Sequence, residues 1–515
     1  MKQSPRRQRR LGASLFRAAL LGTLVAGFAG AAAAQSLRVG LAEDPDVLDP
    51  HQARTFVGRI VFTALCDKLV DITPELQFVP RLATSWEWGP DTKSLTFKLR
   101  EGVKFHDGEP FNAEAVKFNI ERAKTLPESR RKSEITSVAS VDVVDPMTVR
   151  LNLSQPDVTV LAQLSDRAGM MLSPKAAAAA GANAGAKPVC SGPYKFVERV
   201  QNDRIVLERF PDHWNKGQYA FEKITYLPIP DSTVRLANLR SGDLDIIERL
   251  EPTDVKTAKG DANLKTASAV GLGYQGLNIN VANGERAKNP LGQDKRVRQA
   301  LEASIDRDAI NQVVFEGQFT PGNQFFPPNN PYFAKDIPIG ARDVKKAQAL
   351  LKEAGVKTPV AVEVTMSNSP RSLAIMQVIQ SMANEAGFDV KLKSTEFATM
   401  LNEGTKGDFQ ANQYGWSGRP DPDGNIHAFV TCKGGLNDWK YCNPEVDKLL
   451  DQARTVADPA KRKELYTAAQ KILHEDLPII HLYHESWIWG MKKKLEGFTP
   501  HPDGMIRLEN VKMAS

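Results

Sequence analysis

The sequence is poor in the residues and motifs that build common catalytic and metal centres. It has four cysteines and eight histidines in 515 residues. No two cysteines form a C-x-x-C pair, which disfavours a redox motif or a zinc knuckle. The chain also lacks H-E-x-x-H, a phosphate-binding G-K-[ST] loop and a nucleophile elbow. We therefore expect no metal, no cofactor, no catalytic residues and no enzymatic activity.

The first 34 residues contain no acidic residue and differ in composition from the remainder. Basic side chains crowd the first 17 positions, and an apolar stretch runs from Ala18 to Gly30. Four alanines then precede Gln35. A basic front, an apolar middle and a small-residue exit are the parts of a cleavable secretory signal. We predict cleavage after Ala34 and a mature protein in the periplasm.

Removal of this signal changes the charge balance of the chain. The whole sequence has 67 basic and 61 acidic residues, and six of the basic ones lie in residues 1–34. The mature protein is therefore formally neutral, so no nucleic-acid partner is expected. A mean hydropathy of -0.35 argues against a membrane-embedded body.

All four cysteines lie in the predicted mature chain, and export places them where disulfides persist. Cys432 and Cys442 bracket a short glycine-containing segment that can close as a bridged loop. Cys66 and Cys190 then form the second pair by elimination. We predict both disulfides.

Strand and helix periodicities alternate along the mature chain. Leu95, Phe97 and Leu99 alternate with polar residues, as in a half-buried strand. Further on, a strand at Val360–Met366, a helix at Leu373–Ala386 and a strand at Phe388–Leu392 predict a parallel strand pair. The fold class is therefore α/β. Residues 175–189, rich in alanine and glycine, are interpreted as an exposed connector, and Ile479–Trp489 as one final strand.

The segment from Tyr414 to Asn425 is the most distinctive loop. It combines aromatic side chains, one cation, two carboxylates and several glycines and prolines. Rings supply apolar contact area and a few charges orient a ligand, so this composition is typical of a cleft wall. The candidate ligand-binding residues of this loop are Tyr414, Trp416, Arg419, Asp421 and Asp423.

Several segments carry a resemblance to a known family, and they follow one another in the family's order across nearly the whole mature chain. The chain resembles the extracytoplasmic solute-binding proteins that serve peptide- and nickel-type ABC importers. The segments are L-A-T-S-W at 82–86, L-T-F-K-L-R-E-G-V-K-F-H-D-G at 95–108, F-N-A-E-A-V at 111–116, S-G-P-Y-K-F at 191–196, residues 297–307 and the loop that contains Gly415 and Trp416.

The resemblance implies a two-lobed periplasmic-binding-protein fold with hinge strands and an extra subdomain. The first lobe is expected to be discontinuous, at 35–277 with 485–515, and the second lobe to span 278–484. The crossovers are placed near Tyr274–Val281 and near His481–Trp487, where the α/β character changes. Tyr274 and His484 are added to the candidate ligand-binding residues at these crossovers.

The resemblance also implies a function. We expect a monomeric receptor that captures a peptide or peptide-like solute by hinge closure and delivers it to an inner-membrane ABC permease with its ATPase subunits. A non-peptide anionic solute, such as an opine-like or organic acid, is the alternative within the same transport role. A secreted hydrolase or a periplasmic folding helper is a further alternative from another class.

The charge at position 419 distinguishes a peptide ligand from an anionic non-peptide ligand. Peptide binders of the family usually have an acidic residue three positions after the loop tryptophan, where it pairs with the peptide ammonium. Arg419 occupies that position here and would repel an ammonium. The sequence leaves two roles open: Arg419 holds an anionic group of the ligand, or it pairs with Asp421 or Asp423. Arg371 lies close to a carboxylate-binding arginine of the family, but its register is offset and the role is not transferred.

Overall fold

The computed structural model describes residues 35–514. The predicted signal segment and its cleavage after Ala34 therefore lie outside the described residues. Within the described range, no helix is long and apolar enough to cross a membrane. Strands and helices alternate along this range and build two large mixed sheets, a four-stranded antiparallel sheet and two antiparallel strand pairs.

The strands lie in the chain as follows. They are β1 (Ser36–Leu41), β2 (Val70–Ile72), β3 (Phe78–Pro80), β4 (Ala83–Trp88), β5 (Ser94–Leu99), β6 (Val138–Asp145), β7 (Thr148–Leu153), β8 (Tyr194–Val200), β9 (Arg204–Arg209), β10 (Lys223–Pro228), β11 (Ile246–Ile247), β12 (Leu264–Val270), β13 (Tyr274–Ile279), β14 (Thr320–Pro321), β15 (Val360–Ser367), β16 (Phe388–Thr395), β17 (Ala411–Trp416), β18 (Ile479–His484), β19 (Ser486–Lys492), β20 (Leu495–Glu496) and β21 (Lys512–Met513).

The α-helices fill the intervals between these strands. They are α1 (Phe56–Leu65), α2 (Ala113–Thr125), α3 (Val160–Gln163), α4 (Pro174–Ala180), α5 (Ser232–Ser241), α6 (Val255–Gly260), α7 (Pro290–Gln293), α8 (Lys295–Ala303), α9 (Arg307–Phe315), α10 (Val344–Glu353), α11 (Pro370–Glu385), α12 (Phe397–Lys406), α13 (Asp423–Val430), α14 (Pro444–Thr455) and α15 (Pro459–Asp476).

The first large sheet has seven strands in the order β12-β19-β11-β1-β10-β9-β8. Strand β1 is central and runs parallel to both β10 and β11. Its side chains Leu37, Val39 and Leu41 are fully buried, and helix α1 shares their hydrophobic core. This packing fixes α1 against the sheet.

The second large sheet has six strands in the order β14-β18-β13-β17-β15-β16. Strands β15 and β16 are parallel and in continuous register, with α11 between them in the chain. The predicted strand–helix–strand unit is therefore confirmed. Strand β17 also runs parallel to β15, so its last residue, Trp416, lies at the carboxyl edge of the sheet.

A small sheet in the order β4-β5-β7-β6 forms a separate core with α2. Leu95, Phe97 and Leu99 point into that core, as their alternation predicts. The side chain of Asn112 caps α2 by accepting a hydrogen bond from the Ala115 backbone N–H at 3.0 Å. This unit is the extra subdomain that the family resemblance implies.

The chain passes between the two large sheets at two neighbouring places. Residues 271–273 connect β12 of the first sheet to β13 of the second, and Glu485 alone connects β18 to β19. The predicted boundary between residues 277 and 278 falls inside β13, so the change of sheet comes a few residues earlier. Two short connections that lie side by side, such as residues 271–273 and Glu485, can act as a hinge between the parts of the protein that they join.

Two sequence interpretations differ from the structure. The alanine-rich segment forms α4 and a following 3-10 turn rather than a connector, because the Ser173 side chain caps the helix and alanine favours it. The final strand is two strands, β18 and β19, separated at Glu485. The apolar pattern of the sequence continues on both sides of Glu485, so it predicts one strand. The pattern does not indicate that β18 and β19 belong to different sheets.

The structure contains two disulfides, Cys66–Cys190 and Cys432–Cys442. These are the two pairs expected from the sequence. The first joins residues 124 positions apart within one hydrophobic core, and the second closes a loop of separation 10 beside α13.

The Cys432–Cys442 bridge is expected to stabilise the loop after α13. Replacing both cysteines by alanine should lower the free energy of unfolding by about 2–3 kcal/mol, because the unfolded chain gains the freedom that the closed loop removes. Urea denaturation of the double variant beside the wild type, both oxidised, measures the difference. An unchanged midpoint and slope would contradict this expectation.

Candidate functional site

The distinctive loop leaves β17 at the crossing between the sheets. Tyr274 pairs with Trp416 across β13 and β17, so the loop starts directly beside residues 271–273. The backbones approach so closely that a Cβ atom on Gly273 would overlap the Trp416 carbonyl. Gly418 has a φ of +90°, which favours glycine at that position. The loop geometry therefore depends on two glycines and directs residues 416–419 towards the crossing.

Asp421 is committed to an internal ion pair. Its carboxylate accepts two hydrogen bonds from the Arg462 guanidinium, at 2.8 and 2.9 Å, and both side chains are about 7% exposed. Burial opposes the charge on Arg462, but the Asp421 carboxylate outweighs it and raises the pKa of Arg462 above its usual value. This carboxylate anchors the loop to α15, and its contact with a ligand stays a prediction.

Asp423 is committed in the same way. Both of its carboxylate oxygens accept hydrogen bonds from Arg454 of α14 at 2.7 Å, and Asp423 is 3% exposed. Asp423 thereby anchors the start of α13, and its contact with a ligand stays a prediction. Together these two pairs exclude the interpretation in which Arg419 is neutralised by Asp421 or Asp423.

Arg419 itself makes no ion pair with any residue between 35 and 514. Its guanidinium donates one hydrogen bond to the adjacent Gly418 carbonyl at 2.9 Å and lies 4.5 Å from the centre of the Trp416 ring. Its backbone is fixed by Asn425, whose amide bonds both the Arg419 N–H and its carbonyl. The loop thus holds a half-buried arginine in a defined position with most of its donors unused.

Residues from the first sheet's side face Arg419. Arg59 of α1 binds both oxygens of Asp166, at 3.1 and 3.0 Å, and Arg167 follows directly in the chain. Arg131 pairs with Glu134. The arginine cluster is defined as Arg59, Arg131, Arg167 and Arg419, which interact electrostatically with one another and with the carboxylates Asp166 and Glu134.

Burial, and after it the excess of positive charge, lowers the pKa values of two arginines of the cluster. Burial, followed by repulsion from Arg131, lowers the pKa of Arg167 to about 9. Burial, followed by repulsion from Arg59, lowers the pKa of Arg419 to about 10. Both arginines remain charged at neutral pH, and both would be stabilised by an additional negative charge.

The aromatic residues of the loop form part of its inner wall. The Trp416 ring packs edge-on against Phe429 at 5.1 Å, and its indole N–H is buried with no acceptor in the described part of the protein. Tyr414 is half-buried and packs edge-on against Phe397. A small cavity at the crossing is lined by Gly271, Gly273, Tyr274, Gln275, Trp416, Ser417, Glu485 and Trp487.

Tyr274 and His484, the two candidates at the crossovers, have buried side chains. Tyr274 is 2% exposed and surrounded by the rings of Phe325, Phe429 and His481. His484 is fully buried, and its Nδ1 donates to the Gly273 carbonyl at 2.7 Å. Tyr274 packs in the core, and His484 connects the two crossings through its hydrogen bond to Gly273. Their contacts with a ligand stay predictions.

Two further contacts join the sides of the two large sheets. Arg371, at the start of α11, pairs with Glu251 and with Glu485 of the crossing. The Val158 backbone N–H donates to the Arg454 carbonyl at 2.9 Å. The two sides therefore contact each other at two places besides the crossings.

Sequence reasoning missed the arginines contributed by the first sheet's side. No motif marks them, because their relation to Arg419 is created by the tertiary fold. One signal was present: Arg59 is the only charged residue in the apolar helix α1, and it is 5% exposed. A buried charge of this kind needs a partner, which is a reason to suspect a site.

Comparison with known proteins agrees with this architecture. Residues 77–437 match the family model for bacterial extracellular solute-binding proteins, family 5, middle region. This match covers more than half of the chain, so the protein belongs to that family of solute-binding proteins. The predicted family is thereby confirmed.

Individual relatives span nearly the whole chain. The glutathione-binding protein GsiB of Pectobacterium atrosepticum is 29% identical over 90% of this chain and 91% of its own. The protein AgaA of A. tumefaciens, solved with agropinic acid, is 27% identical, with a TM-score of 0.80 and coverage of 93% and 99%. DppA of Helicobacter pylori, solved with the peptide STSA, is 25% identical, with a TM-score of 0.82 and coverage of 93% and 98%.

These likenesses establish the two-lobed periplasmic-binding-protein fold predicted from the sequence. The two large sheets with their two chain crossings are the core of that fold here. The described residues also contain no group of three or more histidine, cysteine, aspartate or glutamate side chains that could hold a metal ion.

Proposed function

We propose that this protein is the periplasmic receptor of an ABC importer and that it captures a peptide or peptide-like solute between its lobes. The names of its relatives support this function, since they include a glutathione-binding protein and a peptide-bound DppA. In this proposal the signal is cleaved after Ala34, and the mature monomer delivers its solute to an inner-membrane permease with ATPase subunits.

In this proposal each lobe is built around one of the two large sheets. Lobe I comprises 35–270 and 486–514, including the extra subdomain, and lobe II comprises 274–484. Residues 271–273 and Glu485 are then the hinge. This assignment moves the first boundary from 277 to the point where the chain changes sheet.

The single observation that carries the proposal is the position of Trp416 and Arg419. Both lie on lobe II at the hinge, and both have unused donors, the Trp416 indole N–H and most of the Arg419 guanidinium. The Arg419 guanidinium interacts electrostatically with buried charged groups of lobe I. A solute held there contacts both lobes, and such a solute favours the closed arrangement over an open one. The ion pair between Arg371 of lobe II and Glu251 of lobe I also stabilises the closed arrangement.

The same geometry favours binding without chemistry. The carboxylates near the loop are saturated by arginines, so neither Asp421 nor Asp423 is available as a base. His484 is fully buried, and burial lowers its pKa to about 4. We propose that the protein transfers its solute unchanged.

A thermal-shift screen of residues 35–515 tests this function. The panel comprises glutathione, a dipeptide, a tetrapeptide and agropinic acid. A true ligand at 100-fold over its dissociation constant should add about 2.7 kcal/mol to the free energy of unfolding. Trp416→Ala should weaken that ligand about tenfold or more, because an aromatic wall of the site is lost.

The matched control is Trp88→Ala, a half-buried tryptophan of the small sheet that should leave binding unchanged. Stabilisation by agropinic acid alone would replace the peptide proposal with the opine-like alternative. Absence of stabilisation by every compound would contradict the proposed function.

A further inference from the structure

The arginines around the loop fall into two groups. Arg454 and Arg462 each hold a carboxylate with two hydrogen bonds, so their charges are matched. Arg419 has only a backbone carbonyl and the face of Trp416. The sequence places acids next to Arg419, and the fold pairs those acids with other arginines. Arg419 therefore has no ion pair among residues 35–514, and the negative charges that act on it are those of Asp166 and Glu134.

Arg131 and Arg167, which lie on the first sheet's side of the arginine cluster, also lack hydrogen-bond acceptors for some of their donors. Arg131 and Arg167 are 4% and 3% exposed, and the Nε atom of each is buried with no hydrogen-bond partner in the described part of the protein. Both donate to a single carbonyl, that of Ala53. Four guanidinium groups therefore share two carboxylates, Asp166 and Glu134, and the cluster carries a net positive charge in a buried setting.

We propose that the arginine cluster is the binding site for a carboxylate group of the transported solute, with Arg419 contributed by lobe II and Arg131 and Arg167 by lobe I. A carboxylate matches the fork of a guanidinium in shape and charge, and it supplies the acceptors that these side chains lack. This inference rests on the proposed function and names the chemical group that the site selects.

The site also explains how binding closes the lobes. A carboxylate between Arg419 and the lobe I arginines cancels a repulsion that otherwise opposes their approach. An anion that contacts the arginines of both lobes binds the closed form more tightly than a form in which the lobes are apart, so it shifts the equilibrium towards closure. A ligand ammonium at this position has the wrong charge and is rejected.

The test uses matched ligands and a charge reversal, with dissociation constants measured by calorimetry on residues 35–515. The probes are glutathione, its dimethyl ester, Ala-Ala, N-acetyl-Ala-Ala and Ala-Ala-amide. We expect loss of the carboxylate, in the ester or amide, to weaken binding at least about 30-fold, and N-acetylation to be tolerated. Arg419→Asp should weaken the carboxylate-bearing probes by at least the same factor.

The matched control is Lys357→Asp, an equal charge reversal at an exposed residue just before β15, at the opposite edge of the sheet from Trp416. Arg419→Lys keeps the positive charge but not the forked donors of the guanidinium. Its affinity for the carboxylate-bearing probes should lie between those of the wild type and Arg419→Asp. Thermal melts without ligand establish that each variant folds. Because the carboxylate introduced by Arg419→Asp can pair with the lobe I arginines, that variant should melt no lower than the wild type.

Two results would overturn the carboxylate site while leaving the peptide receptor intact. One is equal binding of the free acids and their ester or amide forms. The other is unchanged binding of the free acids by Arg419→Asp. If no probe binds the wild type at millimolar concentration, both the carboxylate site and the proposed peptide function fail.

Discussion

Replacing Arg462 by alanine is expected to lower the free energy of unfolding by about 3–5 kcal/mol. The Asp421 carboxylate is 7% exposed and accepts two hydrogen bonds from Arg462, beside one from the Asp423 backbone N–H. Without the guanidinium, a buried carboxylate is left unpaired, and this costs far more than an exposed ion pair contributes. The loop that carries Trp416 and Arg419 loses its anchor to α15 at the same time.

Chemical denaturation of Arg462→Ala, Asp421→Ala and the double variant measures this coupling. The double variant should be more stable than Arg462→Ala, because it removes the unpaired charge together with its partner. A loss below about 1 kcal/mol for Arg462→Ala would contradict the buried pair, because that value is typical of an exposed pair. Additive effects of the two single substitutions would contradict direct coupling.

Acidification from pH 7 to pH 5 is expected to destabilise the protein by several kcal/mol. Burial lowers the pKa values of His51 and His484 to about 4, and it lowers that of His481 well below the usual value. The unfolded chain binds protons below its ordinary histidine pKa near 6.5, whereas His51 and His484 bind them in the folded chain only near pH 4. Stability is therefore complete above pH 6.5 and is lost as pH falls, by about 2 kcal/mol at pH 5 for each of these two histidines. His481 adds a loss in the same direction.

Urea midpoints at half-unit pH intervals measure this loss. His484→Asn keeps a side-chain donor near the Gly273 carbonyl but removes one titrating group. Its stability should depend less steeply on pH, by up to about 1.4 kcal/mol per pH unit. A wild-type stability that is constant between pH 7 and 5, or an equal slope in the variant, would contradict the depressed histidine pKa values.

The fold could be predicted from the sequence where local periodicity and family segments agree. Alternation at Leu95–Leu99 and the unit around α11 gave the correct elements because burial of one face imposes the pattern. Sheet membership could not be predicted: β18 and β19 are both apolar and contiguous, yet they join different sheets at Glu485. That choice depends on long-range pairing, which leaves no local mark.

The candidate site could be predicted in part. The loop around Trp416 was recognised from its composition, and the reversed charge at Arg419 from the family pattern. The ion-pair partners of Asp421 and Asp423 could not be predicted from the sequence. Arg462 and Arg454 lie 41 and 31 residues away in the chain, and no short-range rule selects them. For the same reason the lobe I arginines were missed.

The central claim is that a solute binds between the two lobes and contacts both. Hydrogen exchange of residues 35–515, followed by mass spectrometry with and without saturating glutathione or a tighter ligand from the panel, tests it directly. The account predicts slower exchange in the lobe II loop at 416–423 and also in lobe I at α1 and residues 166–167. Protection confined to one lobe, or to neither lobe despite measured binding, would contradict it.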